Sequence, residues 1–159
     1  SDGASALLIM SAERAKALGL KPLVKIKSLA AAGCDPSIMG FGPVPAVEKA
    51  LKRVGMTPQQ IDLWELNEAF AAQVLGCLAA LADQTYCHNH FGCDALGSID
   101  QSKLNIDGGA IAMGHPIGAS GARIVLHLAN TLKRTGTKRG IASLCIGGGQ
   151  GGAMLIESV

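Results

Sequence analysis

Short apolar runs and segments of helix-forming sequence alternate along this chain of 159 residues. Runs typical of buried strands lie at residues 4–10, 23–29, 62–66, 104–106, 141–146 and 153–156. Helical patterns separate them at residues 12–18, 44–54, 67–83 and 122–134. The alternation predicts an α/β domain whose mixed, mostly parallel sheet carries helices on both faces, with the last two strands antiparallel across a glycine turn.

The composition is that of a folded, core-rich chain, since 48% of residues are apolar and only 16% are charged. The apolar runs are too short to span a bilayer, and no signal segment opens the sequence. The formal net charge is +2, with both signs spread along the chain. We therefore expect no membrane span and no nucleic-acid partner.

The five cysteines are odd in number and irregular in spacing, which indicates a reducing compartment. We expect a cytoplasmic protein, or a mitochondrial or peroxisomal one in a eukaryote. Cys87, His88, His90 and Cys93 could ligate zinc, but their spacing matches no common zinc motif. Residues 87–93 are predicted to be a polar surface loop without metal; a metal site there is the alternative.

Glycine makes up 21 of the 159 residues, and residues 108–121 and 147–152 are especially rich in it. Such stretches allow the backbone to approach a partner closely or to adopt a conformation that a Cβ would disfavour. His115 lies in the first stretch, ahead of a predicted helix, where an imidazole could exchange protons or activate a thiol. The alternative is a structural histidine in a tight loop. We predict that His127, within the helix, is structural.

Cys145 ends a predicted strand and directly precedes the second glycine stretch, so a thiol would lie beside free backbone N–H groups. Such amides can form an oxyanion hole. A buried cysteine acting as a small apolar residue is the alternative. Gly147, Gly149 and Gly152 also fit a dinucleotide-binding pattern, but a strand follows them instead of a helix, which argues against NAD.

Asn67 stands where a predicted strand gives way to a helix whose apolar face runs through Phe70, Val74, Leu78 and Leu81. Its amide could cap this helix. It could equally hold a water molecule or a carbonyl oxygen at a site on the same edge of the sheet.

Three motifs occur in order: Asn-Glu-Ala-Phe at residues 67–70, Gly-His-Pro at 114–116 and Cys-Ile-Gly-Gly-Gly at 145–149. They resemble the C-terminal signature motifs of thiolases, and residues 33–45 resemble the family's loop before its C-terminal domain helix. The resemblance covers nearly the whole chain. It implies thiolytic cleavage of 3-ketoacyl-CoA to acetyl-CoA and a shortened acyl-CoA, or the reverse condensation, with coenzyme A as substrate and no other cofactor.

The resemblance also implies residue roles. His115 would deprotonate the nucleophilic cysteine and, with a water held by Asn67, stabilise the thioester oxyanion. Cys145 would be the acid/base for the acetyl-CoA carbanion, and the Gly147 amide a donor in a second oxyanion hole. Met39 and Phe70 would line the pocket near the pantetheine and acyl groups.

The family's acyl-accepting cysteine belongs to an N-terminal domain, and nothing in this chain corresponds to it. Residues 1–19 are therefore predicted to end that domain, and residues 20–159 to form the C-terminal domain, inactive by itself. We expect a homodimer or homotetramer. A 3-ketoacyl-CoA thiolase of fatty-acid β-oxidation is the prediction; the alternatives are a biosynthetic acetoacetyl-CoA thiolase and a non-catalytic assembly domain.

Overall fold

The computed structural model describes residues 1–159 and contains six α-helices and four β-strands. The helices are α1 (Ala12–Ala17), α2 (Pro43–Lys52), α3 (Ala71–Ala82), α4 (Gln84–Phe91), α5 (Ala110–Met113) and α6 (Ile117–Thr135). The strands are β1 (Val24–Gly33), β2 (Leu63–Leu66), β3 (Arg139–Ile146) and β4 (Gln150–Ser158). Short 3-10 helices cover Pro36–Phe41, Pro58–Gln60 and Gln101–Lys103. No helix combines the length and apolar character needed to cross a membrane.

The four strands form one mixed sheet in the order β1-β4-β3-β2. β2 and β3 are parallel, with Leu66 opposite Ser143, whereas β4 is antiparallel to both β3 and β1. The predicted antiparallel pairing of the last two strands is therefore confirmed. The prediction of a mostly parallel sheet is wrong, because β4 reverses direction at the glycine turn and then lies between β3 and β1.

α2 and α6 cover opposite faces of this sheet, as predicted. Ile141 of β3 packs in one core cluster with Val47 of α2, and the next residue, Ala142, packs in the other with Leu128 of α6. Successive side chains of a strand point to opposite faces, so one strand supplies both cores. The carboxyl ends of β2 and β3 consequently emerge side by side, at a sheet edge flanked by both helical layers.

α3 and α4 build a third apolar cluster against Val44 of α2 and Leu66 of β2. α3 begins at Ala71, so the predicted start at Asn67 is wrong. Phe70 is 64% exposed and does not belong to a buried stripe. The buried residues of α3 are Gln73, Cys77, Ala80 and Leu81.

The segment predicted as a polar loop around residues 87–93 contains α4. The Asp83 side chain caps this helix by accepting a hydrogen bond from the Tyr86 amide at 2.9 Å, and Gly92 ends it with φ of 61°. Cys87 is fully buried, and its thiol donates to the Ala80 carbonyl at 3.0 Å. The prediction of a loop is wrong because the apolar face of α4 packs on α3.

Two predicted strands do not form. Residues 4–10 adopt no regular structure, and Leu8 and Ile9 are 80% and 65% exposed. An apolar run becomes a strand only beside another strand, and no strand of this sheet lies next to it. At residues 104–106 the structure has only an isolated bridge between Leu104 and Trp64, followed by Asn105 with φ of 45°. A strand ladder cannot continue through that backbone conformation.

Candidate active site

Asn67 and Cys145 lie at the same edge of the sheet, beyond the parallel pair β2 and β3. The backbone N–H of Asn67 donates to the Ser143 carbonyl at 2.9 Å, which extends the ladder one residue past β2. Asn67 therefore does not cap α3, whose N-cap position is Phe70. Cys145 is two residues beyond Ser143 on β3. Carboxyl ends of strands are where open α/β sheets place their sites.

His115 stands between α5 and α6 and is held at both ring nitrogens. Its Nε2 atom lies 3.4 Å from Nδ2 of Asn67, and its Nδ1 atom lies 2.7 Å from the hydroxyl oxygen of Ser120. Gly114 has φ of 90°, a conformation that favours glycine, and its carbonyl accepts a hydrogen bond from Arg123 at 2.9 Å. The imidazole is thus fixed beside the Asn67 amide by the fold around it.

The Cys145 thiol is half-buried, and burial raises its pKa above the ordinary cysteine value. No hydrogen bond links this thiol to Asn67 or to His115. A thiol with a raised pKa is protonated at neutral pH and can donate a proton to a strong carbon base. Cys145 is only partly buried, whereas Cys77 and Cys87 are fully buried.

The turn after Cys145 contains two glycines, Gly148 and Gly149, that no other residue could replace without strain. Gly148 and Gly149 have φ of 81° and 83°. Gly149 also accepts a hydrogen bond from the Cys34 amide at 2.8 Å, and a Cβ at this glycine would collide with the Cys34 carbonyl. Gly147, in contrast, faces open space, with no atom within 4 Å of the position a Cβ would take. The turn is anchored on one side and open on the other.

The sequence matches that of a known protein family. Residues 20–158 match the thiolase C-terminal domain. This chain belongs to the thiolase family. Over its full length it is 54% identical to a 3-ketoacyl-CoA thiolase of Hahella chejuensis and 55% identical to one of Serratia proteamaculans. It spans only 37% and 38% of those relatives, so a thiolase of their length has a further region outside this chain.

Solved thiolase structures share the fold. Human mitochondrial 3-ketoacyl-CoA thiolase superimposes on 94% of the chain with a TM-score of 0.82 and 45% identity, and the chain covers 34% of that protein. The acetyl-CoA acetyltransferase of Bacillus anthracis gives a TM-score of 0.81 at 44% identity, with the same coverage. The resemblance to thiolases is therefore confirmed, as is the mixed α/β fold.

Within this thiolase domain, the predicted site residues fall into two groups. Asn67 and His115 share a hydrogen bond, and Cys145 and Gly147 lie at the adjoining strand end. Met39 and Phe70 lie on the surface, 39% and 64% exposed, on the 3-10 helix after β1 and just before α3. Their pocket-lining role stays a prediction, as do the catalytic roles.

Glu68 belongs to the first motif, and the sequence alone indicates no role for it. Its carboxylate accepts hydrogen bonds from the Asn105 side chain at 3.0 Å and from the Ile111 amide of α5 at 3.1 Å. Asn105 in turn pairs with both backbone groups of Leu66 at 2.9 Å. These bonds tie the strand that carries Asn67 to the helix that leads into His115. They join residues about forty positions apart, so local sequence carries no signal for them.

His127 belongs to a separate polar network on α6, apart from His115. Its Nδ1 atom lies 2.8 Å from a carboxylate oxygen of Glu65, and its Nε2 atom lies 3.0 Å from Asp107, which also pairs with Arg134. Burial raises the pKa of Glu65, although His127 opposes the shift. The four residues bind β2, α6 and the preceding loop together. The chain has no cluster of three or more His, Cys, Asp or Glu side chains arranged to hold a metal.

Proposed function

We propose that the full-length protein is an acyltransferase that cleaves 3-ketoacyl-CoA with coenzyme A, giving acetyl-CoA and a shortened acyl-CoA. The observation that carries this proposal is the hydrogen-bonded pair of Asn67 and His115 beside the Cys145 strand end. A base, an acid and oxyanion donors are the groups that cleavage of a 3-keto thioester requires. Nothing structural requires all of these side chains together at one edge of a sheet.

In the proposed cleavage, Nε2 of His115 accepts the proton of a cysteine thiol supplied by the N-terminal domain. The thiolate attacks the C3 carbonyl, and the bond between C2 and C3 breaks. The electron pair stays on C2 of the departing acetyl-CoA, and the Cys145 thiol donates its proton to that carbon. The coenzyme A thiol then gives its proton to the Cys145 thiolate and attacks the acyl-enzyme, which releases the shortened acyl-CoA, and the departing nucleophilic cysteine recovers its proton from His115.

Two sets of donors stabilise the oxyanions formed on this path. A water held by the Asn67 amide, together with His115, stabilises the thioester oxyanion. The Gly147 amide contributes to the second hole, and this glycine is exposed, with no atom within 4 Å of the position a Cβ would take. Hydrogen-bond donors that are already in place stabilise the negative charge as it develops. The barrier is lower because the site does not have to reorganise during the reaction.

The direction of the reaction and its pathway are finer proposals. The relatives named 3-ketoacyl-CoA thiolase favour degradation in fatty-acid β-oxidation. The likeness to an acetyl-CoA acetyltransferase keeps the biosynthetic condensation of two acetyl-CoA as a second candidate. We propose that the enzyme works as a homodimer or homotetramer in the cytoplasm and that the chain by itself is inactive, because the nucleophile lies in the missing domain.

The test is a thiolysis assay of the full-length protein with 3-ketoacyl-CoA substrates of short and long acyl chains. Turnover of long chains supports the β-oxidation proposal, whereas turnover confined to acetoacetyl-CoA supports the biosynthetic alternative. A full-length protein that binds coenzyme A but cleaves neither substrate would leave the non-catalytic assembly domain as the explanation.

A further inference from the structure

Ser120 is buried directly behind the imidazole of His115. It lies in the first turn of α6 and is 0% exposed. Its hydroxyl oxygen is 2.7 Å from Nδ1 of His115 and 3.1 Å from the carbonyl oxygen of Pro116. The hydroxyl has a single proton to share between these two neighbours.

The Pro116 carbonyl can only accept, so a hydrogen bond between it and Ser120 uses the serine proton. A serine inside a helix commonly donates to the carbonyl four residues before it, and Pro116 holds that position. The Ser120 oxygen then has only lone pairs to offer to Nδ1 of His115. Nδ1 must therefore carry a proton, and in the neutral ring Nε2 is left with a free lone pair.

With Nδ2 of Asn67 turned toward the ring, the contact at Nε2 is consistent with the same assignment. The group facing Nε2 is the Nδ2 amide nitrogen of Asn67, at 3.4 Å, which is a donor. A proton on Nε2 would set two donors against each other. The hydrogen bonds on the two sides of the ring are mutually consistent only when Nδ1 is protonated and Nε2 is not.

We infer that Ser120 is a positioning residue that holds neutral His115 in the Nδ1–H tautomer, so that Nε2 is the proton acceptor facing the site. The catalytic consequence rests on the proposed function, in which Nε2 takes the proton of the nucleophilic thiol. The tautomer itself is a property of the folded protein and can be measured without any substrate.

The first experiment measures the tautomer. The full-length protein is labelled with 15N in its histidine rings, and the ring nitrogens are observed by NMR at a pH where His115 is neutral, with assignment from a His115→Gln spectrum. We expect the Nδ1–H form in the wild type. In Ser120→Ala the ratio of Nδ1–H to Nε2–H should fall about tenfold, the effect of losing one hydrogen bond. Ser102→Ala, at an exposed serine of the 3-10 helix, is the control and should change nothing.

The second experiment measures acylation of the enzyme by a 3-ketoacyl-CoA. Ser120→Ala should acylate about tenfold more slowly while keeping its KM, and Ser120→Thr, which keeps the hydroxyl, should recover most of the rate. An Nε2–H tautomer in the wild type, or an unchanged tautomer ratio in Ser120→Ala, overturns the inference. So does a Ser120→Thr protein that behaves like Ser120→Ala, because packing would then explain the loss. Failure of the proposed function is seen separately, as a wild-type protein without thiolysis.

Discussion

Gly151 of β4 packs backbone against backbone on Gly42, the residue before α2. The approach is so close that a Cβ on either residue would collide with main-chain atoms of the other segment. The contact seats the amino end of α2 on the strand that follows the glycine turn, and it therefore helps to hold the turn beside Cys145. Neither glycine has a positive φ, so close approach alone requires glycine at these positions.

Gly151→Ala should therefore lower the free energy of unfolding by about 2 kcal/mol or more, as overpacking of a close contact does. Chemical denaturation followed by circular dichroism measures the change. Gly118→Ala is the matched control, since no atom lies within 4 Å of its Cβ position and it sits inside α6. That control should leave the protein as stable or make it about 0.5 to 1 kcal/mol more stable. Equal effects of the two substitutions would contradict the packing argument.

His115→Ala should slow acylation of the full-length enzyme by about 10²- to 10⁴-fold, because it removes the proposed base. Mass spectrometry of the acyl-enzyme at short reaction times measures this rate directly. His127→Ala is the comparison, as this histidine bonds to Glu65 and Asp107 and lies outside the proposed chemistry. It should acylate at nearly the normal rate while melting at a lower temperature. Normal acylation in His115→Ala would remove the histidine from the mechanism.

Cys145→Ser should still form the acyl-enzyme but should fail to exchange the α-proton of acetyl-CoA with solvent. A serine hydroxyl is a far weaker acid than a thiol, so it neither donates its proton readily nor forms the anion that would remove one from C2, and the step at C2 is lost while the step at the nucleophile is kept. Deuterium uptake into acetyl-CoA, followed by mass spectrometry, measures the exchange. Cys34→Ser, on the other side of the glycine turn, is the control. Undiminished exchange in Cys145→Ser would refute its assignment as the acid/base.

Glu68→Gln should lower kcat about tenfold with little change in KM, since the amide nitrogen of glutamine cannot accept the hydrogen bond from Ile111. The pair formed by Asn67 and His115 would then be held less firmly. Steady-state thiolysis measures both constants. Glu13→Gln on the exposed helix α1 is the control, and it should match the wild type. A change in KM without any change in kcat would assign Glu68 to substrate binding instead.

Asp107→Asn should make stability less dependent on pH in the acid range. Burial acts to raise the pKa of the Asp107 carboxyl, but hydrogen bonds from Arg134 and His127 outweigh it and hold the pKa below the ordinary value. The carboxylate therefore contributes stability above about pH 4 that is lost as the pH falls through its folded pKa. Melting temperatures at a series of pH values should show a shallower acid decline in Asp107→Asn than in an Asp2→Asn control. If melting temperature fell with pH in the same way in both variants, the stabilising role of the Asp107 carboxylate would be contradicted.

Three helix ends in this protein carry signals in the local sequence. Ser11 caps α1, Thr57 and Gln60 form a capping box, and α6 ends at Gly136. These signals are local, because a cap needs only a side chain within a few residues of the free backbone groups. The apolar run at residues 4–10 failed because strand formation depends on a neighbouring strand, which local pattern does not reveal.

The residue types available for chemistry are evident from the order of amino acids, since Asn67, His115, Cys145 and Gly147 stand in motifs that can be recognised without a structure. The way in which these side chains are held depends on long-range contacts. The bond between Asn67 and His115 spans 48 residues, and those of Glu68 span 37 and 43. Such contacts form only when the sheet order brings β2 beside β3 and folds α6 over them. Ser120 illustrates both kinds of information. Its position one helical turn after Pro116 follows from the sequence, whereas its approach to the imidazole depends on the turn at Gly114.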